Sequence, residues 1–183
     1  MTLACEDRVL GETLRERINL AHFRTYYTED VAGAEVGGAV KNVLAIACGV
    51  AEGRQLGQNA RAALIARGFA EMIRFGVAMG GRRETLAGLS GLGDLVLTCS
   101  STSSRNFSLG KAIGEGKKVA ELMKDRRTVA EGAHTAPVLH RISVERGIDM
   151  PLVAAVAELL SGKIGIEELL GTMLSRPPRD EED

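Results

Sequence analysis

Tryptophan is absent from this chain of 183 residues, and phenylalanine and tyrosine together supply only 3% of it. Aliphatic side chains must therefore fill the core. Cysteine is scarce as well. Cys5, Cys48 and Cys99 are odd in number and lack a CxxC spacing, which excludes a disulfide framework and a thiolate zinc site; they read as buried thiols in a reducing compartment. The three histidines are not spaced as metal ligands, so no metal is expected. No apolar run reaches membrane-spanning length, and Met1–Asp7 lacks the basic-then-apolar order of a signal peptide, so the expected location is cytoplasmic. A net charge of −1 provides no basic field for nucleic acid. Neither GxGxxG nor GxxxxGK[ST] occurs, so the usual glycine-rich dinucleotide and phosphate loops are excluded.

What is present is 45% hydrophobic and 26% charged, the balance of a folded domain with a real core. Residues 1–30 differ from the rest. Val9, Leu10, Leu14 and Ile18 recur at helical spacing, and Phe23–Thr28 reads as a strand. One helix and one or two strands cannot form a core alone, so this segment looks like part of a larger sheet. From Ala32 to Leu174 the helical period dominates, and seven to nine helices are expected. Val36, Val40, Val43, Ala47 and Val50 form the stripe of the first. Asn59 is positioned to cap a second long helix that stops at Gly80-Gly81, and Pro151 suits a first helical turn. Arg61, Arg67 and Arg74 read as a charged helix face with Glu71 for local pairing. Residues 177–183 read as a solvated acidic tail.

Lys41 interrupts an apolar helical pattern, and its own face carries Gly37, Ala45 and Cys48. Burial favours the neutral amine that a general base requires, although a mid-helix lysine also serves as a snorkelling side chain. Asp94 follows Gly91-Leu92-Gly93 and precedes an apolar segment. Ser104-Arg105-Asn106 then offers a guanidinium fork beside two short hydrogen-bonding side chains, a set suited to a phosphorylated polyol. Asp94 and Ser104 read equally well as two helix caps. Glu131 stands in Val129-Ala130-Glu131-Gly132, and a simple loop acid is its plain reading.

These segments, with Glu35–Val43 and Asn59–Leu64, resemble in type, order and spacing the C-terminal half of the bacterial NAD(P)-dependent sn-glycerol-3-phosphate dehydrogenases. The resemblance runs from about residue 2 to residue 176. It implies an all-α fold of the 6-phosphogluconate-dehydrogenase C-terminal type over residues 31–176, with residues 1–30 a small β appendage left from a Rossmann domain. It also implies interconversion of sn-glycerol 3-phosphate and dihydroxyacetone phosphate with NAD or NADP, feeding glycerophospholipid synthesis. Lys41 then matches the proton acceptor, and Asp94 the acid that holds it and the substrate. Ser104, Arg105 and Asn106 match substrate contacts, while Arg105, Val129 and Glu131 match the edge of the cofactor site. The Rossmann domain that binds the nicotinamide cofactor, and a second lysine supplied from it, are missing partners of this sequence, so the chain by itself is expected to be inactive. The competing expectation is a noncatalytic helical module that binds a partner domain or self-associates. Its strand at Phe23–Thr28 would have unpaired backbone groups, and Val9, Leu14 and Tyr26 would lack cover, which points to a homodimer.

Overall fold

The computed structural model describes residues 1–124 and 130–174; Val129 and the acidic tail lie outside them. The chain opens with β1 (Thr2–Ala4), α1 (Arg8–Ile18) and β2 (Tyr26–Thr28). The two strands pair in parallel, Thr2 opposite Tyr26 and Ala4 opposite Thr28. The β2 backbone is thus paired along one edge within its own chain, which corrects the expectation of an unpaired strand; β1, only three residues long, is the second of the one or two strands expected in residues 1–30. Val9 and Tyr26 do lie exposed, and Leu10, Leu20 and Phe23 join them.

Nine α helices follow among the described residues: α2 (Val31–Gly53), α3 (Gly57–Ala78), α4 (Arg83–Ala87), α5 (Asp94–Thr98), α6 (Arg105–Gly114), α7 (Val119–Leu122), α8 (Glu131–Glu145), α9 (Pro151–Leu160) and α10 (Ile166–Leu174). A single π-helical turn, Leu89–Gly93, joins α4 to α5. By length and composition alone α2 could cross a bilayer, which corrects the expectation that no stretch reaches that length. Here it is the central helix of the domain. Val40, Val43, Leu44, Ile46 and Val50 are fully buried, and α3, α5, α6, α8 and α9 pack around them.

The α2–α6 contact is made backbone to backbone. A Cβ on Gly110 would lie 2.0 Å from the Ile46 carbonyl oxygen, and one on Gly49 would lie 2.1 Å from that of Phe107. The helices therefore approach as closely as their main chains allow.

Two carboxylates organise the framework. Glu71 is buried and accepts the backbone N–H groups of Leu152 (2.7 Å) and Val153 (3.2 Å), capping α9 from a neighbouring helix, so it does more than the local pairing its spacing suggested. Arg61 and Arg74 pair with Glu52 and Asp149. Asn59 does not cap α3, which begins at Gly57 with Leu56 before it and without a side-chain cap. The chain turns there through positive φ at Gln55 (56°) and Gly57 (84°).

Asp30 caps α2 through the Gly33 N–H (2.8 Å) and also accepts the Arg82 N–H (2.7 Å), tying the β2–α2 junction to the start of α4. Burial opposes its ionisation, yet the backbone donors of Arg82 and Gly33 and the Thr85 hydroxyl outweigh it and hold the carboxyl below its ordinary range. A carboxyl lowered in the folded state stabilises the fold above its unfolded-state value. That contribution is lost as pH falls through this value towards the folded one. Asp30→Asn, which cannot accept from both sites as a carboxylate does, is expected to cost about 1–3 kcal/mol at neutral pH. Denaturant melts across the acidic range should show the gap between variant and parent closing at low pH.

Candidate functional site

Lys41 projects from the middle of α2, where Gly37, one turn earlier, leaves space for the π turn. A Cβ on Gly37 would lie 2.4 Å from the Ser90 carbonyl oxygen. Within that turn the Gly93 N–H reaches back five residues to the Gly88 carbonyl (3.1 Å). The widened turn delivers Asp94, the first residue of α5, to Lys41. The Lys41 Nζ donates to Asp94 Oδ2, with the two side chains 21% and 34% exposed. Asp94 is therefore an ion-pair partner and not a cap, since α5 begins without a side-chain cap. Behind it, the Thr98 hydroxyl donates to the Asp94 carbonyl oxygen (2.6 Å). Deeper still, Cys48 and Cys99 are buried, and the Cys99 thiol is pushed up by its contact with Cys48 and by burial.

Ser104 caps α6, its Oγ accepting the Phe107 N–H (3.3 Å). That is the plain reading of the serine, and it also places Arg105 as the first residue of a ten-residue helix, at the positive end of its dipole. The Arg105 guanidinium stands 3.5 Å from the Glu131 carboxylate, and both side chains are largely exposed. Glu131 opens α8, so the loop reading does not hold for it. Asn106 is buried: its Nδ2 donates to Asn42 Oδ1 (3.0 Å), and its Oδ1 accepts the Gly132 N–H (2.8 Å). One amide thus links α2, α6 and the start of α8.

Lys41, Ser104, Arg105, Asn106 and Glu131 line one cleft of about 410 Å³, with Asp94 bonded to the lysine at its wall. Asn42, Leu97, Thr98, Ser101 and Ser103 complete it. Leu97, Thr98 and Ser101 were not read as site residues because helix phase alone does not show which side of α5 and its following loop faces the cleft. A larger cleft of about 680 Å³ lies between β2 and the α4–π segment, away from these groups.

Fold and cleft define a mostly helical domain in which a lysine–carboxylate pair faces a cationic helix start across one polar cavity. Residues 30–171 match the family described as NAD-dependent glycerol-3-phosphate dehydrogenase C-terminus, and the chain belongs to that family. It is 62% identical over 183 residues to the glycerol-3-phosphate dehydrogenase [NAD(P)+] of Erythrobacter litoralis, spanning all of this chain and 55% of that protein. It is 64% identical over 181 residues to the enzyme of the same name from Novosphingobium aromaticivorans, covering 97% of this chain and 54% of the relative. The crystal structure of glycerol-3-phosphate dehydrogenase from Coxiella burnetii superposes with a TM-score of 0.90 at 40% identity, over 96% of this chain and 54% of that one. The chain spans about half the length of the relatives it matches.

Proposed function

We propose that this chain is the substrate-binding and proton-transferring half of an NAD(P)-linked glycerol-3-phosphate dehydrogenase, interconverting sn-glycerol 3-phosphate and dihydroxyacetone phosphate and so supplying glycerophospholipid synthesis. The observation that carries this reading is the convergence of the Lys41–Asp94 pair and the Arg105 helix start on one small polar cleft. Ser104 and Arg105, at the N-terminus of α6, bind the phosphate through a charged fork and the helix dipole. Asn106, locked between Asn42 and Gly132, holds that end of the cleft in place. Once its own proton has passed to solvent, the neutral Lys41 amine takes the proton of the secondary hydroxyl during oxidation, and the ammonium so formed returns it during reduction, with Asp94 aiming the group.

A bound nicotinamide would supply the hydride acceptor, and in reverse the donor, for the carbinol carbon. The exposed Arg105 guanidinium suits the phosphates at the edge of an anionic dinucleotide and the exposed Glu131 carboxylate one of its hydroxyl groups, and Val129 is proposed to join them. No glycine-rich phosphate loop occurs in the sequence, so the main cradle belongs to the other half of the enzyme.

The isolated chain, given glycerol 3-phosphate and NAD or NADP, is expected to reduce cofactor at background rate, followed by nicotinamide absorbance. Mixing it with the remaining half of the Erythrobacter litoralis relative should restore turnover. Strong turnover by the chain alone, or none after the two halves have been shown to associate, would sink the reading. A second reading, a docking module that self-associates, is favoured by the exposed Val9, Leu10, Leu20, Phe23 and Tyr26. Light scattering on the same samples separates the two: a dimer that persists and no recovered turnover would favour it.

A further inference from the structure

The four charged groups at the cleft cancel in two pairs, Lys41 with Asp94 and Arg105 with Glu131. The two pairs differ in kind. Lys41 and Asp94 are partly shielded, whereas the side chains of Arg105 and Glu131 are 60% and 65% exposed. At 3.5 Å, the Arg105–Glu131 contact is longer than a tight charge-assisted hydrogen bond. Arg105 also sits where a cation is disfavoured, at the positive end of the α6 dipole, so the guanidinium and the helix start both call for an anion. Glu131 stays within reach because Asn106, one residue after Arg105, bonds the backbone of Gly132, one residue after Glu131.

We propose that Glu131 is a displaceable counter-ion for Arg105: the phosphate of the substrate must win the guanidinium from the Glu131 carboxylate, and this exchange sets the phosphate affinity of the cleft. The inference rests on the substrate reading given above. The carboxylate penalises phosphate twice, by standing 3.5 Å from one arm of the fork and by repelling a second anion nearby. It also lowers the attraction of the unoccupied cleft for other anions. Once displaced, the Glu131 carboxylate points to the cleft rim as a free acceptor, so phosphate binding changes what that rim offers to a second ligand.

The test uses this chain and three probes, sn-glycerol 3-phosphate, inorganic phosphate and glycerol, titrated calorimetrically against parent and Glu131→Gln. Both side chains of the pair are exposed, and Glu131→Gln also gives up a favourable charge at the first turn of α8, so the variant should melt within a few degrees of the parent. The expected result is a gain of about 2- to 5-fold in affinity for both phosphate-bearing probes at low ionic strength, shrinking as salt screens the charges, with no change for glycerol. In an Arg105→Gln background the same substitution should give a much smaller gain, because the exchange partner is gone. If the parent binds glycerol 3-phosphate and Glu131→Gln binds it equally or more weakly, the counter-ion role is wrong while the substrate reading stands. A gain of equal size for glycerol, or an undiminished gain without Arg105, would also overturn the role. If neither protein binds either phosphate probe, the substrate reading itself fails and the proposal falls with it.

Discussion

Replacing Lys41 with alanine is expected to lower turnover of the reassembled enzyme about 10³-fold while leaving the domain folded. General-base catalysis contributes about 10²–10⁴-fold, and among the cleft-lining residues Lys41 is the amine. The structural cost should be small. The Lys41–Asp94 pair is partly open to water, and the Asp94 carboxylate left behind is one-third exposed, so the loss resembles that of a surface ion pair, about 0–1 kcal/mol. Thermal melts should therefore nearly coincide. Added small primary amines should restore part of the rate to Lys41→Ala, since they can occupy the vacated space and accept the proton. A purely structural lysine would show no such rescue. Retention of activity within tenfold of the parent would remove Lys41 from the proton-transfer role.

Gly110→Ala should produce a large loss of stability. The added methyl would meet the carbonyl oxygen of Ile46 at 2.0 Å and its carbon at 2.8 Å, and both are backbone atoms of α2 that cannot swing aside. Relief requires the two helices to separate, and α2 has a fully buried neighbourhood that would open with them. Overpacking of this kind costs about 3 kcal/mol. For a domain of this size that is roughly 6–12 °C in melting temperature. Gly38→Ala supplies the control: nothing lies within 4 Å of its Cβ position, and alanine in a helix interior should gain about 0.5–1 kcal/mol. Equal effects at the two positions would contradict the backbone-to-backbone account of the α2–α6 contact.

Much of the fold is legible in the sequence, because sustained 3.6 periodicity marks buried helix faces wherever they are long. Of the expected stripe, Val40, Val43, Ala47 and Val50 are buried and Val36 is half-buried, and Pro151 does open α9. Signals that depend on a partner in space were hidden. Three residues of β1 carry no period, and the π turn shifts phase over only five residues. Asn59 has the chemistry of a cap, but the positive φ angles of Gln55 and Gly57 start α3 earlier. Glu71 looks like one member of a charged face until α9 is placed above it. At the site, Lys41 stood out as a charge within an apolar helix, and Asp94 was ambiguous between cap and partner until the π turn brought it to the amine. Asn106 was legible as a polar residue beside Arg105. Its bonds to Asn42 and Gly132 join segments 64 and 26 residues away, which no local pattern could reveal.

The glycine contact between α2 and α6 works as a fixed gauge. Lys41 is on one jaw and Arg105 on the other, and the jaws already touch main chain to main chain at Gly49 and Gly110. No smaller residue exists, so substitution at the contact can only spread the jaws. The backbone separation between the residue proposed to handle the proton and the residue proposed to hold the phosphate thus has a lower limit set by peptide geometry. Selection for a substrate with its hydroxyl nearer the phosphate would have to act elsewhere, on the loop between α5 and Ser104. A demand for a longer substrate could be met at Gly49 or Gly110, at the expense of the core beneath.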